Sequence, residues 1–273
     1  QQELTGRDKN MLKRLITSRE ALLMLIILVL IGLVAIRFPR FITLSNLAGV
    51  FNDTSPLILL AIGQMIVILT KCIDLSVAAN LALTGMVVAM INVAAPGVPV
   101  VVIIAVAIGL GALMGAFNGL LVWKLDIPPI VVTLGTMTIY RGTVFVISNG
   151  KWVNSHEMTQ AFKAFPRYEL FGMPMMSWTA IIAVIIFFIV MTRTTLGRSF
   201  YAVGGNPHAA TYAGINVGRS QFWAFTISGA LAGLTGYLWV SRYAVAYVNV
   251  ASGFELDVVA ACVIGGVSIA GGI

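Results

Sequence analysis

Charge is what this sequence has least of. Only 10% of its 273 residues are Asp, Glu, Lys or Arg, against about a quarter in an ordinary soluble domain. So few charges cannot give a chain of this length a water-facing surface, which excludes a soluble globular fold. Histidine is nearly absent: His156 and His208 are the two, and no HExxH pair occurs, so the usual helical zinc-hydrolase site is missing. The two cysteines, Cys72 and Cys262, lie in or beside apolar runs and read as small hydrophobes, which argues against a disulfide framework or a metal site. No GxxxxGK[ST] segment is present, so ATP hydrolysis would have to come from another chain. No cofactor is implied, and catalysis by this chain is not expected.

What fills the sequence instead is apolar: 59% hydrophobic residues and a mean hydropathy of +0.97. The runs are long and not alternating, so they read as membrane helices and not as barrel strands. Spans are expected at Ala21–Ile36, about Leu47–Thr70, two within the charge-free stretch Leu75–Trp123, Pro129–Ile147, Phe171–Met191 and Phe222–Val240, with an eighth beginning near Leu256. The long stretch divides at Ala94-Ala95-Pro96-Gly97-Val98-Pro99, since proline and glycine end helices. The fold class is therefore all-α and polytopic, with about eight transmembrane helices in one transmembrane domain, 21–273.

The formal net charge is +7. The basic residues fall between apolar runs, so positive-inside orientation explains them and a nucleic-acid partner does not. Arg7, Lys9, Lys13, Arg14 and Arg19 precede the first run, and no small-x-small cleavage pattern follows it. An uncleaved first span is expected, with residues 1–20 a cytoplasmic N-terminal segment in a multi-pass inner-membrane protein. This orientation places 148–177 in the periplasm and 192–221 in the cytoplasm. Position 1 is Gln and the first Met is Met11, so a start other than the native one is expected, and Gly271-Gly272-Ile273 ends within an apolar region, so a C-terminally truncated chain is expected.

The cytoplasmic segment carries the most specific pattern, Gly204-Gly205-Asn206-Pro207-His208-Ala209-Ala210-Thr211-Tyr212-Ala213-Gly214-Ile215. Asn206 suits a helix N-cap, Pro207 the first helical position and Gly214 the residue past its end, so a helix of about two turns is expected from Pro207 to Ala213. Small, weakly charged residues fit either an ordinary capped turn or a surface that docks into another protein.

This stretch resembles the cytoplasmic coupling loop of sugar-type ABC importer permeases, the ribose-permease group. Ile73-Asp74-Leu75-Ser76-Val77, Ile130-Val131-Val132-Thr133-Leu134-Gly135-Thr136 with Tyr140-Arg141-Gly142, Glu255-Leu256-Asp257 followed by Ala260–Gly266, and Ser268–Gly272 match at corresponding places, so the resemblance runs from Met11 onward. One departure is Lys71-Cys72, where the family often has two glycines for close backbone approach. The resemblance implies about ten spans, a homodimer or heterodimer with a second permease subunit, a cytoplasmic ATP-binding-cassette ATPase docked on Asn206, Pro207, His208, Ala209, Ala210 and Gly214, and a periplasmic sugar-binding protein. Gly150-Lys151-Trp152 points to the rhamnose or autoinducer-2 branch over plain ribose.

Polar residues inside apolar runs are costly in lipid and mark candidates for a translocation path. They are Asp74, Asn80, Asn118, Thr133, Thr136 and Arg141. Each has a simpler alternative. Asp74 fits an N-cap of the third span with Ser76 assisting, Asn118 a hydrogen bond between helices, and Arg141 a structural pair with an acid such as Asp257. Gly111, Gly115 and Gly119 in the fourth span, and Gly229 and Gly233 in the seventh, have the four-residue spacing that lets membrane helices pack closely. An ion-coupled secondary transporter of a small polar solute is the competing reading, but no inverted repeat is evident, and the scarcity of intramembrane charge fits a neutral sugar better than an ion.

Overall fold

In a computed structural model of the chain, the described residues are 19–272. The expected N-terminal segment 1–20 lies outside them except for the helical backbone of residues 19 and 20. Among the described residues there are eleven α-helices and one two-stranded hairpin. The chain divides into two compact units, one up to Asp53 and one from Thr54 onward.

The first unit holds α1, Arg19–Arg37, a 3-10 helix at Pro39–Ile42, and the start of α2, Leu44–Leu69. Leucine, isoleucine and valine run all round α1, the composition of a membrane helix and not of an amphipathic one.

In the second unit the remainder of α2 is followed by α3, Val77–Ala94, α4, Val100–Leu125, and α5, Pro129–Ser148. Then come a short helix α6, Gln160–Arg167, the hairpin Glu169–Leu170 with Met173–Pro174, and α7, Met175–Arg193. Two short helices, α8 at Thr195–Gly205 and α9 at Pro207–Tyr212, precede α10, Val217–Tyr243, and α11, Phe254–Ile264. Among the described residues, six helices (α2, α3, α4, α5, α7 and α10) are long and apolar enough to cross a membrane. The break at Ala94–Pro99 falls where proline and glycine place it. The expected eighth span differs: α11 has 11 residues and stops at Gly265-Gly266, where Gly266 takes φ +96°. At 1.5 Å per residue it covers only about half of a hydrocarbon core.

α10 is the central helix of this unit, and glycine explains why. A Cβ added to Gly111 of α4 would run into the Gly229 carbonyl of α10, one on Gly115 into the Phe225 carbonyl, and one on Gly119 would stand 2.8 Å from Phe222 Cα. The contacts descend along α10 as they ascend α4, so the two helices are antiparallel. α3 runs parallel to α10, with Gly85 set against Gly236 and Val240. Gly63 of α2 meets Ser228 from a third direction. Without side chains at these points backbones approach closely, which supplies the van der Waals contact that must replace the hydrophobic effect inside a bilayer. Tyr237, Phe225, Leu59, Leu60, Ile66 and Met86 fill the spaces beside the seam. Val101, Leu113, Phe145 and Phe188, on the outward faces of α4, α5 and α7, are exposed.

Candidate functional site

The segment between α7 and α10 is built from three side-chain caps. Thr194 accepts the Gly197 N–H at 3.2 Å and starts α8. Asn206 ends α8 by donating its N–H to the Ala202 carbonyl at 3.1 Å, and its Oδ1 accepts the Ala209 N–H at 3.1 Å to start α9. Asn216 accepts the Arg219 N–H at 2.8 Å and starts α10. Each satisfies an orphan N–H at a helix start. α9 closes as the spacing predicts: Gly214 takes φ +80°, and Ile215 donates to the Ala210 carbonyl at 2.9 Å. His208, Ala209 and Gly214 face out, Pro207 is half-buried, and Ala210 is turned inward and buried. Tyr212, which the sequence reading passed over, is 94% exposed at the end of α9. A cleft of about 300 Å³ lies alongside, lined by Thr195, Ser199, Asn216, Arg219 and Trp223.

The path candidates separate into a cluster and an outlier. Asp74 lies in the Thr70–Ser76 connection between α2 and α3. Its Oδ1 accepts both the Ser76 N–H, at 2.9 Å, and the Ser76 hydroxyl, at 2.6 Å. Asp74 thus secures the turn before α3, while Ser76 holds the capping position without using its side chain to cap. The Ser76 hydroxyl accepts from Asn118 Nδ2 at 2.8 Å, and Tyr140 donates to Asn118 Oδ1 at 3.4 Å and to the Met114 carbonyl at 3.0 Å. Thr133 reaches the Ile73 carbonyl at 3.3 Å. One turn along α3, Asn80 donates to the Gly111 carbonyl at 3.1 Å and accepts from Thr84. Thr136 bonds back to Val132 within its own helix. So α3, α4 and α5 are tied together through one buried polar network, to which Ser76 and Tyr140 belong. Tyr140 stood within a quoted motif, one turn after Thr136; that spacing was the available signal.

Burial pushes the Asp74 carboxyl up to about 6, against the lowering effect of its two Ser76 bonds. Burial likewise pushes the Cys72 thiol up to about 11, which fits an inert, structural cysteine. Lys71, at the departure from the two-glycine pattern, takes φ +62°, a left-handed conformation that glycine adopts without steric cost.

Arg141 is the outlier. Its guanidinium Nη1 donates to the carbonyls of Val248, at 3.2 Å, and Val250, at 2.5 Å, in the connection between α10 and α11. The expected pair with Asp257 is replaced by backbone acceptors. Two further contacts fix the same connection: Val153 and Ala246 exchange backbone hydrogen bonds of 2.9 and 3.0 Å, and Trp152 stacks on Tyr247 with ring centres 4.9 Å apart. Nearby, Asn92 at the end of α3 and Thr159 at the start of α6 bond reciprocally at 2.9 Å.

Residues 46–273 match the family model described as "Branched-chain amino acid transport system / permease component". The chain is 38% identical over 261 residues to the autoinducer 2 import system permease protein LsrC of Enterobacter sp. (strain 638), covering 96% of this chain and 75% of that one. It is 38% identical over 248 residues to the ribose import permease protein RbsC of Escherichia coli (strain K12), covering 90% and 77%. LsrC of Yersinia enterocolitica is 34% identical over 255 residues, covering 93% and 70%. No solved structure matches.

Proposed function

Because this chain belongs to the sugar-type group of ABC importer permeases, a family of multi-pass inner-membrane transport subunits, we propose that it passes a neutral monosaccharide of the pentose or deoxyhexose type across the inner membrane by alternating access. The N-terminus is cytoplasmic, so α8 and α9 face the cytoplasm, and Trp152, α6 and the α10–α11 connection face the periplasm. A partner ATPase supplies the energy, a periplasmic sugar-binding protein delivers the cargo, and a second permease subunit completes the path. Rhamnose, ribose and autoinducer 2, the last two being the cargoes named for relatives, are the first substrates to test.

The observation that carries this reading is α9. A six-residue helix in water is not stable by itself, and Asn206, Pro207 and Gly214 are placed to hold this one together. Its outward face is small and nearly uncharged, with one large exposed aromatic, Tyr212. Aromatic anchors of this kind dominate protein–protein contacts. The partner ATPase grips α9; closure of the ATPase pair displaces it and, with it, the spans that follow. Asp74, Asn80, Asn118, Thr133 and Thr136 are proposed as the polar wall beside the path, with Asp74 and Asn118 setting its shape through Ser76.

The test is reconstitution with the partner ATPase and the periplasmic binding protein, measuring ATP-dependent uptake of labelled ribose and rhamnose. Replacing Ala209 by Trp should abolish sugar-dependent ATP hydrolysis while leaving the chain in the membrane. Normal sugar-dependent turnover in that variant, or uptake that needs an ion gradient and no ATP, would overturn the assignment.

A further inference from the structure

Three stretches of backbone meet at one point beside the Asp74 connection. Gly204, the penultimate residue of α8, is buried, and a Cβ there would run into both the carbonyl of Leu69, the last residue of α2, and the N–H of Gly272. Gly272 in turn donates that N–H to the same Leu69 carbonyl at 3.3 Å. Gly271 and Gly272 hold this approach with φ of +82° and +84°, a left-handed geometry suited to glycine. The neighbours of Gly204 are main-chain atoms, so no side chain can swing away to make room. The next residue, Gly205, would have nothing within 4 Å of an added Cβ.

The two sides of this contact lead to opposite ends of the transport cycle. On one side Asn206 both closes α8 and opens α9, so the two short helices meet at a hydrogen-bonded corner and not a slack linker. On the other side Leu69 runs directly into Thr70–Ser76, which is fastened along its length. The Thr70 carbonyl accepts from Gln221 of α10 at 3.4 Å, Cys72 donates its N–H to the Val67 carbonyl at 3.2 Å, and Ile73 accepts from Thr133. Asp74 and Ser76 then lead to Asn118 and Tyr140. A push arriving at Leu69 is passed along such a segment, because few of its residues can move alone.

We infer that Gly204 is a positioning residue for coupling, the bare-backbone contact through which displacement of α9 reaches the Asp74 network. This rests on the reading of α9 as the surface gripped by the ATPase. A methyl group at 204 has to move the end of α2 or the Ser268–Gly272 segment, which resets the contact without replacing any ATPase-facing residue or any residue of the network. A methyl group at 205 moves nothing, so that position is an internal control.

The experiment uses the assembled complex in proteoliposomes, comparing wild type, Gly204→Ala and Gly205→Ala for labelled-sugar uptake (ribose and rhamnose) per ATP hydrolysed. Gly204→Ala should retain ATPase binding and basal hydrolysis but lose about tenfold in transport per ATP, in the range of typical coupling between sites. Gly205→Ala should stay near wild type. Hydrogen exchange in the wild-type complex gives a second readout that depends on neither the sugar nor a variant: vanadate trapping should change exchange at residues 70–76. A wild-type transport ratio in Gly204→Ala, or exchange at 70–76 that ignores trapping, overturns the inference. If Gly204→Ala does not reach the membrane, the wild-type exchange result decides alone. Failure of the ATPase to bind the wild-type chain would instead strike at the assignment of α9, a result distinguishable from both.

Discussion

Gly111 of α4 and Gly229 of α10 exclude each other's side chains: a Cβ on either would collide with the other's carbonyl oxygen. Overpacking a tight contact costs ~1–3 kcal/mol and more where only backbone can yield. Gly229→Ala, and more strongly Gly229→Leu, should lower the unfolding temperature of the purified protein in detergent, read by tryptophan fluorescence. Gly109→Ala, in the same α4 helix but with nothing within 4 Å of its added Cβ, should leave it unchanged or slightly raised. Equal effects at 109 and 229 would show that the seam does not hold the helices.

Asn206 supplies the side-chain cap of α9, and loss of such a cap costs ~0.5–2 kcal/mol, enough to unravel so short a helix. Asn206→Ala should weaken co-purification of the ATPase, whereas Asn206→Asp and Asn206→Ser, which still accept from Ala209, should preserve it. Undiminished binding by Asn206→Ala would separate the docking surface from the cap.

Arg141 bridges two carbonyls of the α10–α11 connection with one guanidinium nitrogen. Hydrogen bonds from a charged donor are worth ~1.5–3 kcal/mol, so Arg141→Met should release the connection. Hydrogen exchange within 247–252 should rise in that variant, and Arg141→Lys, which keeps the charge but not the fork, should fall between it and wild type. Protection unchanged in Arg141→Met would mean that the Val153–Ala246 bridge and the Trp152–Tyr247 stack suffice.

Asp74 predicts a pH dependence with a definite sign. Its carboxyl is raised from 3.8 to about 6 by burial, so the folded chain holds this proton more tightly than the unfolded chain does. The stabilisation it gives is complete below about pH 4, declines as pH rises toward about 6, and is gone above that. Asp74→Asn remains neutral throughout. The unfolding temperature of wild type minus that of Asp74→Asn should therefore fall between pH 4 and pH 6 and be flat above. A difference that rises over this interval would mean that the Ser76 bonds outweigh burial.

Much of this architecture could be read from the residues. Apolar run length located the long helices, Pro96-Gly97 and Pro99 divided two of them, and Asn206, Pro207 and Gly214 marked both ends of α9. The spacing of Gly111, Gly115, Gly119, Gly229 and Gly233 announced close packing, though not that the two sets face each other. Hydropathy reports depth in a membrane and is silent about neighbours. For the same reason Arg141 was assigned an acidic partner: a side-chain pair has two letters in the sequence, whereas the carbonyls of Val248 and Val250 belong to every residue alike. An eighth span was drawn from near Leu256 to the end of the sequence because Val263, Ile264, Val267 and Ile269 continue the apolar run, and the turn at Gly265-Gly266 interrupts it without changing its polarity. The polar letters Asp74, Asn118 and Thr133 were visible, and Ser76 was read beside Asp74; that Ser76 meets Asn118, and that Tyr140 joins them, depended on how α3, α4 and α5 face one another.

The antiparallel glycine seam between α4 and α10 also sets a schedule for biosynthesis. Its two halves are roughly a hundred residues apart in the chain, so a ribosome adding about 5–20 residues per second completes the second half ~5–20 s after the first. Through that interval α4 sits in the bilayer with its glycine face open to whatever apolar helix drifts by. A cell that slows translation within the α8–α9 region prolongs that exposure, and mispaired chains caught there would be substrates for membrane quality-control proteases before a transporter ever forms.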